Sequence, residues 1–308
     1  MKTKTALEKA IKEQKSAALV VNTQSRRGRR LYSDALDLLQ KKGMHISFSS
    51  PIRQPRHLPK AVEEAIHHEE NLVIVGGGDG TITSVVDFFV YKDKVLGLLP
   101  LGTGNSFART LGIPIRLEGA IDTIVNGKVA DVDLGKANDD YFSNSITIGF
   151  PADIIRNTPD WLKKAFGPSA FGIMAVIYFF KTKRVRCELS VDDKKFVVNT
   201  YHVVVASGRT YGMRPLGAEA NADDRKLFIL TMDKMNRLDI LYFWTMYFLG
   251  RHRALSKVKT FSARKVTIKT DRPRYVDVDG EITTQTPIQI TLAPQSLKVM
   301  VPQDFNDL

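Results

Sequence analysis

Two apolar runs, each ending in a glycine-rich loop, constrain this chain more than any other feature. Leu72-Val73-Ile74-Val75 ends in Gly76-Gly77-Gly78-Asp79-Gly80-Thr81. Val95-Leu96-Gly97-Leu98-Leu99 ends in Pro100-Leu101-Gly102-Thr103-Gly104-Asn105. Each run has the length and branched content of a strand buried on both faces. Each loop precedes a segment that can be helical. Two such strand-to-helix turns are expected side by side at the carboxyl edge of a parallel sheet, where open α/β folds bind ligands. Glycine reaches backbone angles that other residues avoid. It also lets an anion approach main-chain N–H groups, which attract phosphate. Neither loop is a G-x-x-x-x-G-K-[ST] or a G-x-G-x-x-G motif. The plainer alternative is two tight turns with Asp79 as a helix cap.

The rest of the chain divides near residue 130. Before it, apolar runs at Ala17–Val21 and Met44–Phe48 alternate with helical patterns at 31–41, 57–70 and 117–125. After it, short strand-like runs follow one another: 129–134, 141–149, 185–191, 196–206, 227–232, 265–269, 275–278, 288–292 and 297–301. Serial short strands suggest an antiparallel sandwich. Two aromatic-rich helical segments, 161–181 and 238–251, interrupt them. Their plainer role is core packing. The other is a cover over an acyl pocket, or a membrane-facing surface with a basic rim.

Lys and Arg number 45 against 33 Asp and Glu, a net +12, so an anionic partner is expected: nucleotide, nucleic acid or acidic membrane. The 308 residues, 43% hydrophobic, suffice for two domains. One cysteine, Cys187, excludes an intramolecular disulfide. The lysine-rich N-terminus is no secretory signal, and no apolar run reaches a membrane span. A soluble protein with peripheral membrane contact is expected. His57, His67 and His68 lack partners at metal-site spacing.

Gly77-Gly78-Asp79-Gly80-Thr81, followed by Pro100-x-Gly102-Thr103-x-Asn105-x-Phe107-Ala108-Arg109, resembles the catalytic signature of the diacylglycerol kinase family, which includes bacterial soluble lipid kinases and sphingoid-base kinases. NAD kinases share the first motif. A third similarity is Asp277-Val278-Asp279-Gly280-Glu281, whose D-G-E the family places opposite the triphosphate; as a bare pattern it is also an ordinary acidic hairpin. The resemblance implies that Gly77, Gly78, Asp79, Gly80, Thr81, Thr103 and Asn105 hold the nucleotide. Asn22 and Ser25 stand in the family's first loop, where Thr23 and Arg26 replace Pro and Gly. Ser50 stands where the family often has a nucleotide-binding Thr. Arg26, Arg27, Arg29 and Arg30 could face phosphate or solvent. A family loop holding a structural Mg2+ corresponds to Asn221–Leu227, with Asp224 as carboxylate ligand and main-chain carbonyls near Asn221 and Lys226. Arg225 replaces its usual Gly.

The resulting expectation is a Rossmann-like α/β domain (1–130, with 296–308 returning to it) and a β-rich lipid-acceptor domain (131–295), with the active site between them. The reaction is transfer of the ATP γ-phosphoryl to a lipid hydroxyl, with ATP and Mg2+ as cofactors. Asp79 would help place the metal, and Glu281 or Asp279 would accept the proton. At strand spacing, Asp279 and Glu281 are expected to point to one face. The partner is a lipid at an anionic membrane surface, with no nucleic acid. A homodimer stays open, and the location is cytoplasmic and peripherally membrane-associated. The alternatives are an NAD kinase-like small-molecule kinase, which lacks its N-E pair here, and a non-catalytic basic protein binding membrane or nucleic acid.

Overall fold

The continuous apolar runs of the first third become parallel strands. Strands β1 (Ser16–Asn22), β2 (His45–Ile52), β3 (Leu72–Gly77) and β4 (Val95–Pro100) form a sheet of order β2-β1-β3-β4. All its pairings are parallel. Every residue of β3 and β4 is buried, which is why these strands read as runs rather than alternations. Helices at Lys4–Gln14, Arg26–Lys41, Leu58–His67 and Leu117–Asn126 cover them. Leu7, Leu39, Val62 and Ile121 are among their buried side chains.

This is a computed structural model that describes residues 2–24, 26–167, 169–192, 194–207, 210–211, 214–215, 225–233, 236–249, 251 and 257–306. The chain forms two compact units, Met1–Leu134 with Ala293–Leu308, and Gly135–Ala220 with Arg225–Leu292.

The second unit is built on β5 (Lys128–Ala137, from Gly135), β6 (Asp140–Phe142), β7 (Ser145–Gly149), β8 (Val185–Val191), β9 (Lys194–Thr200) and β10 (His202–Ala206). After the two-residue strands β11 (Thr210–Tyr211) and β12 (Arg214–Pro215) come β13 (Leu227–Met232), β14 (Val258–Ala263), β15 (Lys265–Thr270) and β16 (Tyr275–Val278). The series ends with β17 (Glu281–Gln285) and β18 (Ile288–Val301). One antiparallel sheet runs β14-β13-β10-β7-β16-β17. A second runs from the first half of β18 through β15 and β8 to β9. The far end of β18 pairs Lys298 and Val299 in parallel with β4 of the first unit's sheet. The expected architecture, α/β followed by an antiparallel β sandwich, is the one the chain adopts.

Alternation explains the sandwich. Val185, Cys187, Leu189, Val266, Ile268, Ile288 and Ile290 share one core with Ile146, Ile148, Val203, Val205, Leu227, Ile229, Val276 and Val278. The intervening residues of the six-stranded sheet, Val204, Ala206, Phe228, Leu230 and Met232, are apolar too. They pack under helices Phe150–Asn157, Asp160–Phe166, Ser169–Lys181 and Arg237–Phe248. The central strands of this sheet, β7, β10 and β13, are therefore buried on both faces. The segment 161–181, expected as one helix, is two. Gly167, at φ +54°, takes the left-handed conformation that ends the first.

Candidate active site

The two glycine loops touch backbone to backbone. A Cβ built on Gly102 would lie 2.4 Å from the Gly78 Cα, and one on Gly78 would lie 3.1 Å from the Gly102 Cα. A Cβ on Gly77 would meet the Thr81 side chain at 2.3 Å. Glycine is needed here for close approach alone. Of the two reasons expected from the sequence, positive φ does not apply, because none of Gly76, Gly77, Gly78, Gly80, Gly102 or Gly104 adopts it. The left-handed residue of this region is Asn105, at φ +50°.

Polar side chains set the loops. The Asp79 carboxylate Oδ1 accepts the N–H groups of Ser106 (2.6 Å) and Phe107 (3.4 Å), so it caps the helix that follows the second loop, Ser106–Thr110. Its Oδ2 accepts no hydrogen bond among the described residues, and a Cβ at Gly104 would lie 2.7 Å from it. Asn105 is buried. Its Oδ1 accepts from Gly102 N (2.9 Å), and its Nδ2 donates to Gly102 O (2.9 Å). It therefore braces its own loop. Asn22 Nδ2 donates to the buried Thr81 Oγ1 (3.1 Å), tying the end of β1 to the first loop. Thr103 is exposed at the tip of the second loop. Among the described residues, the N–H groups of Asp79, Gly80, Thr103 and Gly104 donate to no protein acceptor. Four unengaged N–H donors on two touching, side-chain-poor loops make an anion cradle.

The D-G-E segment is a hairpin in the second unit. Val278 pairs with Glu281, leaving Asp279 and Gly280 as the two turn residues, at φ +50° and +96°. Both are left-handed, as a two-residue type I′ turn requires. This departs from the expected geometry. Asp279 is not on a strand, and it does not share a face with Glu281. Its Oδ2 accepts from Ser143 N (2.7 Å) and Ser143 Oγ (3.0 Å), and its Oδ1 from Asn144 N (2.9 Å) and Ser145 N (2.8 Å). Burial pushes its pKa up, while those donors favour the charged form. Glu281 is exposed at the start of β17.

Beneath the turn lies a third carboxyl that the sequence reading did not single out. Asp277 is buried. Its Oδ2 accepts from Thr147 Oγ1 (2.7 Å) and its Oδ1 from Gly280 N (2.8 Å). Burial, with Asp279 and Glu281 nearby, raises its pKa to about 7 against the two hydrogen bonds. The available signal was a polar cluster, Ser143-Asn144-Ser145 and Thr147, inside an otherwise apolar strand region.

The other expected residues have the following places, where they are described. Ser25, Asn221 and Asp224 lie outside the described residues, as do the side chains of Arg26 and Arg27. Lys226 is exposed. Ser50 is half-buried on β2, paired with Val20. Arg30 pairs with Asp34 at 3.8 Å. His67 contacts Glu63 O, and His68 lies against Phe48. Among the described residues, no cluster of three His, Cys, Asp or Glu side chains could hold a metal. A catalytic Mg2+ needs less from the protein, since one or two carboxylates suffice when phosphates complete its shell. Asp79 Oδ2 is a donor of that kind.

Comparisons with known proteins show the family and the fold. The family model of the Diacylglycerol kinase catalytic domain matches residues 16–137. That of the YegS C-terminal NAD kinase beta sandwich-like domain matches residues 144–301. The chain belongs to the diacylglycerol kinase catalytic-domain family, a family of lipid kinases. It is 29% identical over 283 residues to a diacylglycerol kinase of Staphylococcus epidermidis, covering 91% of this chain and 89% of the relative. It is 28% identical over 298 residues to one of Staphylococcus aureus, covering 94% of each. The fold matches the crystal structure of a Bacillus anthracis protein with TM-score 0.81 at 22% identity, over 95% of this chain and 97% of the other.

Proposed function

We propose that this protein is an ATP-dependent kinase that transfers the γ-phosphoryl group to a lipid hydroxyl, with a diacylglycerol-like acceptor. The observation that carries this reading is the pair of glycine loops in contact, with the N–H groups of Asp79, Gly80, Thr103 and Gly104 unengaged. Such donors neutralise phosphate oxygens without moving, and phosphoryl transfer is catalysed chiefly by positioning and charge stabilisation. Asn105, Asn22 and Asp79 Oδ1 act by fixing those loops. Thr103 contacts phosphate. Asp79 Oδ2 would hold a Mg2+ ion, which would supply neutralisation of phosphate charge.

Glu281 is the proton acceptor, since its carboxylate is exposed beside a rigid turn. The hydroxyl oxygen attacks the γ-phosphorus as its proton passes to Glu281, and ADP leaves. Asp279 holds the turn that presents Glu281 and takes no proton from the acceptor.

The test is transfer of labelled phosphate from ATP to a panel of extracted lipids, with NAD as a separate acceptor. Phosphorylated lipid is expected. Glu281→Gln should lose at least ~10²-fold in turnover with ATP affinity little changed. Transfer to NAD alone would replace the lipid reading with a small-molecule kinase. Unchanged turnover in Glu281→Gln would move the base to Asp79.

A further inference from the structure

Two helices of the second unit are apolar on both sides. Ser169–Lys181 packs Ala170 and Met174 onto the outer face of the six-stranded sheet, and Arg237–Phe248 packs Ile240, Phe243 and Tyr247 onto that same face. A surface helix normally turns polar residues outward. Here the outward sides carry Ile173, Val176, Ile177 and Phe180 on one helix, and Leu238, Leu241 and Tyr242 on the other. All are exposed, Val176 at 65%, Phe180 at 66%, Leu238 at 72% and Leu241 at 58%. The spacings i, i+3, i+4, i+7 and i, i+3, i+4 draw a stripe along each helix. Single exposed apolar residues need no explanation, whereas ordered stripes on two helices of one face do. Trp161 and Phe166 are exposed on the neighbouring helix.

Charge identifies what covers them. Residues 161–187 contain no Asp or Glu, and neither do residues 240–270. Lys181, Lys183 and Arg184 are exposed where the first stripe ends, and Arg251 where the second ends. The acid on the second helix, Asp239, is held by Lys257 at 2.6 Å. An apolar stripe with a cationic rim complements an anionic lipid interface. It does not complement a second copy of itself, which would set cations against cations. No helix among the described residues is long and apolar enough to cross a membrane, so these helices would lie in the interface plane.

We infer that the outward stripes of Ser169–Lys181 and Arg237–Phe248 dock this protein on an anionic bilayer. The inference rests on the lipid-kinase reading only for its purpose, which is delivery of the enzyme to a membrane-held acceptor. Two vesicle types serve as probes: phosphatidylcholine alone, and phosphatidylcholine with phosphatidylglycerol. The variant carries Val176→Ser, Phe180→Ser, Leu238→Ser and Leu241→Ser. If it fails to fold, the pair Val176→Ser and Leu238→Ser replaces it.

The wild type should sediment preferentially with the anionic vesicles, less so as salt rises. The variant should partition at least ~10-fold more weakly. It should still bind ATP and phosphorylate a short-chain, monomeric acceptor. Equal partitioning of variant and wild type would overturn the inference. So would a wild-type dimer that these substitutions make monomeric while vesicle binding stays unchanged. Stripe-dependent binding without phosphorylation of any lipid would support the surface and remove the kinase reading instead.

Discussion

The chain contains two Asp-Gly pairs in its signature motifs, Asp79-Gly80 in the first unit and Asp279-Gly280 in the second. Both aspartates use a carboxylate oxygen to gather backbone N–H groups from a segment distant in sequence. Asp79 collects Ser106 and Phe107, and Asp279 collects Ser143, Asn144 and Ser145. They differ in what is left over. Asp79 keeps Oδ2 without a partner among the described residues, whereas both oxygens of Asp279 accept hydrogen bonds. The difference separates a residue that braces and can also act from one that only braces. An acid in a catalytic signature is therefore not thereby a chemical group. The unengaged lone pairs decide.

That comparison breaks first, and most strongly, at Asp279. Asp279→Ala leaves three backbone N–H groups and a hydroxyl without their acceptor. Each buried orphan costs ~1–3 kcal/mol, so a total of about 3 kcal/mol or more is expected. Chemical denaturation should show the loss, and activity should fall with it. Wild-type stability in this variant would mean that the turn holds without its carboxylate.

Asp79→Ala should show the reverse balance. Loss of the cap on Ser106–Thr110 costs ~1 kcal/mol. Turnover should drop by at least ~10²-fold, as the phosphates lose a metal-holding oxygen and the second loop its brace. Stability and turnover measured on one preparation decide it. Equal proportional losses in both would make Asp79 a mere brace like Asp279.

Gly102→Ala probes the contact that Asp79 supports. Its new Cβ would meet the Gly78 backbone at 2.4 Å, and neither loop can yield by rotating a side chain. About 1–3 kcal/mol of strain is expected, with ATP affinity at least ~10-fold weaker, read by calorimetry. The paired Gly43→Ala is a control of another kind, because Gly43 sits at φ +80° in open space. It should strain the backbone and leave ATP affinity alone.

Much of this was legible in the sequence because it is local. Continuous apolar runs marked strands buried on both faces, and the Asp279-Gly280 pair marked a two-residue hairpin. Other features were not local. The partners of Asp279 lie 134 to 136 residues away, so no pattern around the D-G-E reports that its carboxylate is occupied. The Gly78–Gly102 contact belongs to tertiary structure, and glycine's two uses look identical in a sequence. Strand β18 reads in the sequence as two runs, 288–292 and 297–301, with Pro294 between them. The chain instead runs through, turning at Gln295 (φ +48°), whose N–H donates to Asp133 Oδ1 at 2.7 Å. Strand β14 was missed because it is mostly exposed and lacks an apolar run.

The smallest expected effect concerns Asp277, the carboxyl beneath the second Asp-Gly pair. It faces Thr147 on β7, the Gly280 N–H, and the carboxyls of Asp279 and Glu281. Burial raises its pKa from 3.8 to about 7. The folded chain therefore holds this proton more tightly than the unfolded chain. Between pH 3.8 and about 7 the folded state binds more protons here, so stability from this group falls as pH rises through that window. It is fully present below the unfolded value and lost above the folded one. Asp277→Asn is neutral at every pH and preserves shape. Relative to wild type, it should gain stability as pH rises from about 4 to 8, by roughly 1 kcal/mol or more, since one pKa unit corresponds to ~1.4 kcal/mol. Denaturant midpoints at half-unit steps would show it. A flat difference across the window would mean that Asp277 is charged throughout, and that Thr147 and Gly280 outweigh its burial. A rising difference would add a second distinction between the two Asp-Gly pairs, since only the hairpin would then rest on a carboxyl that keeps its proton near neutral pH.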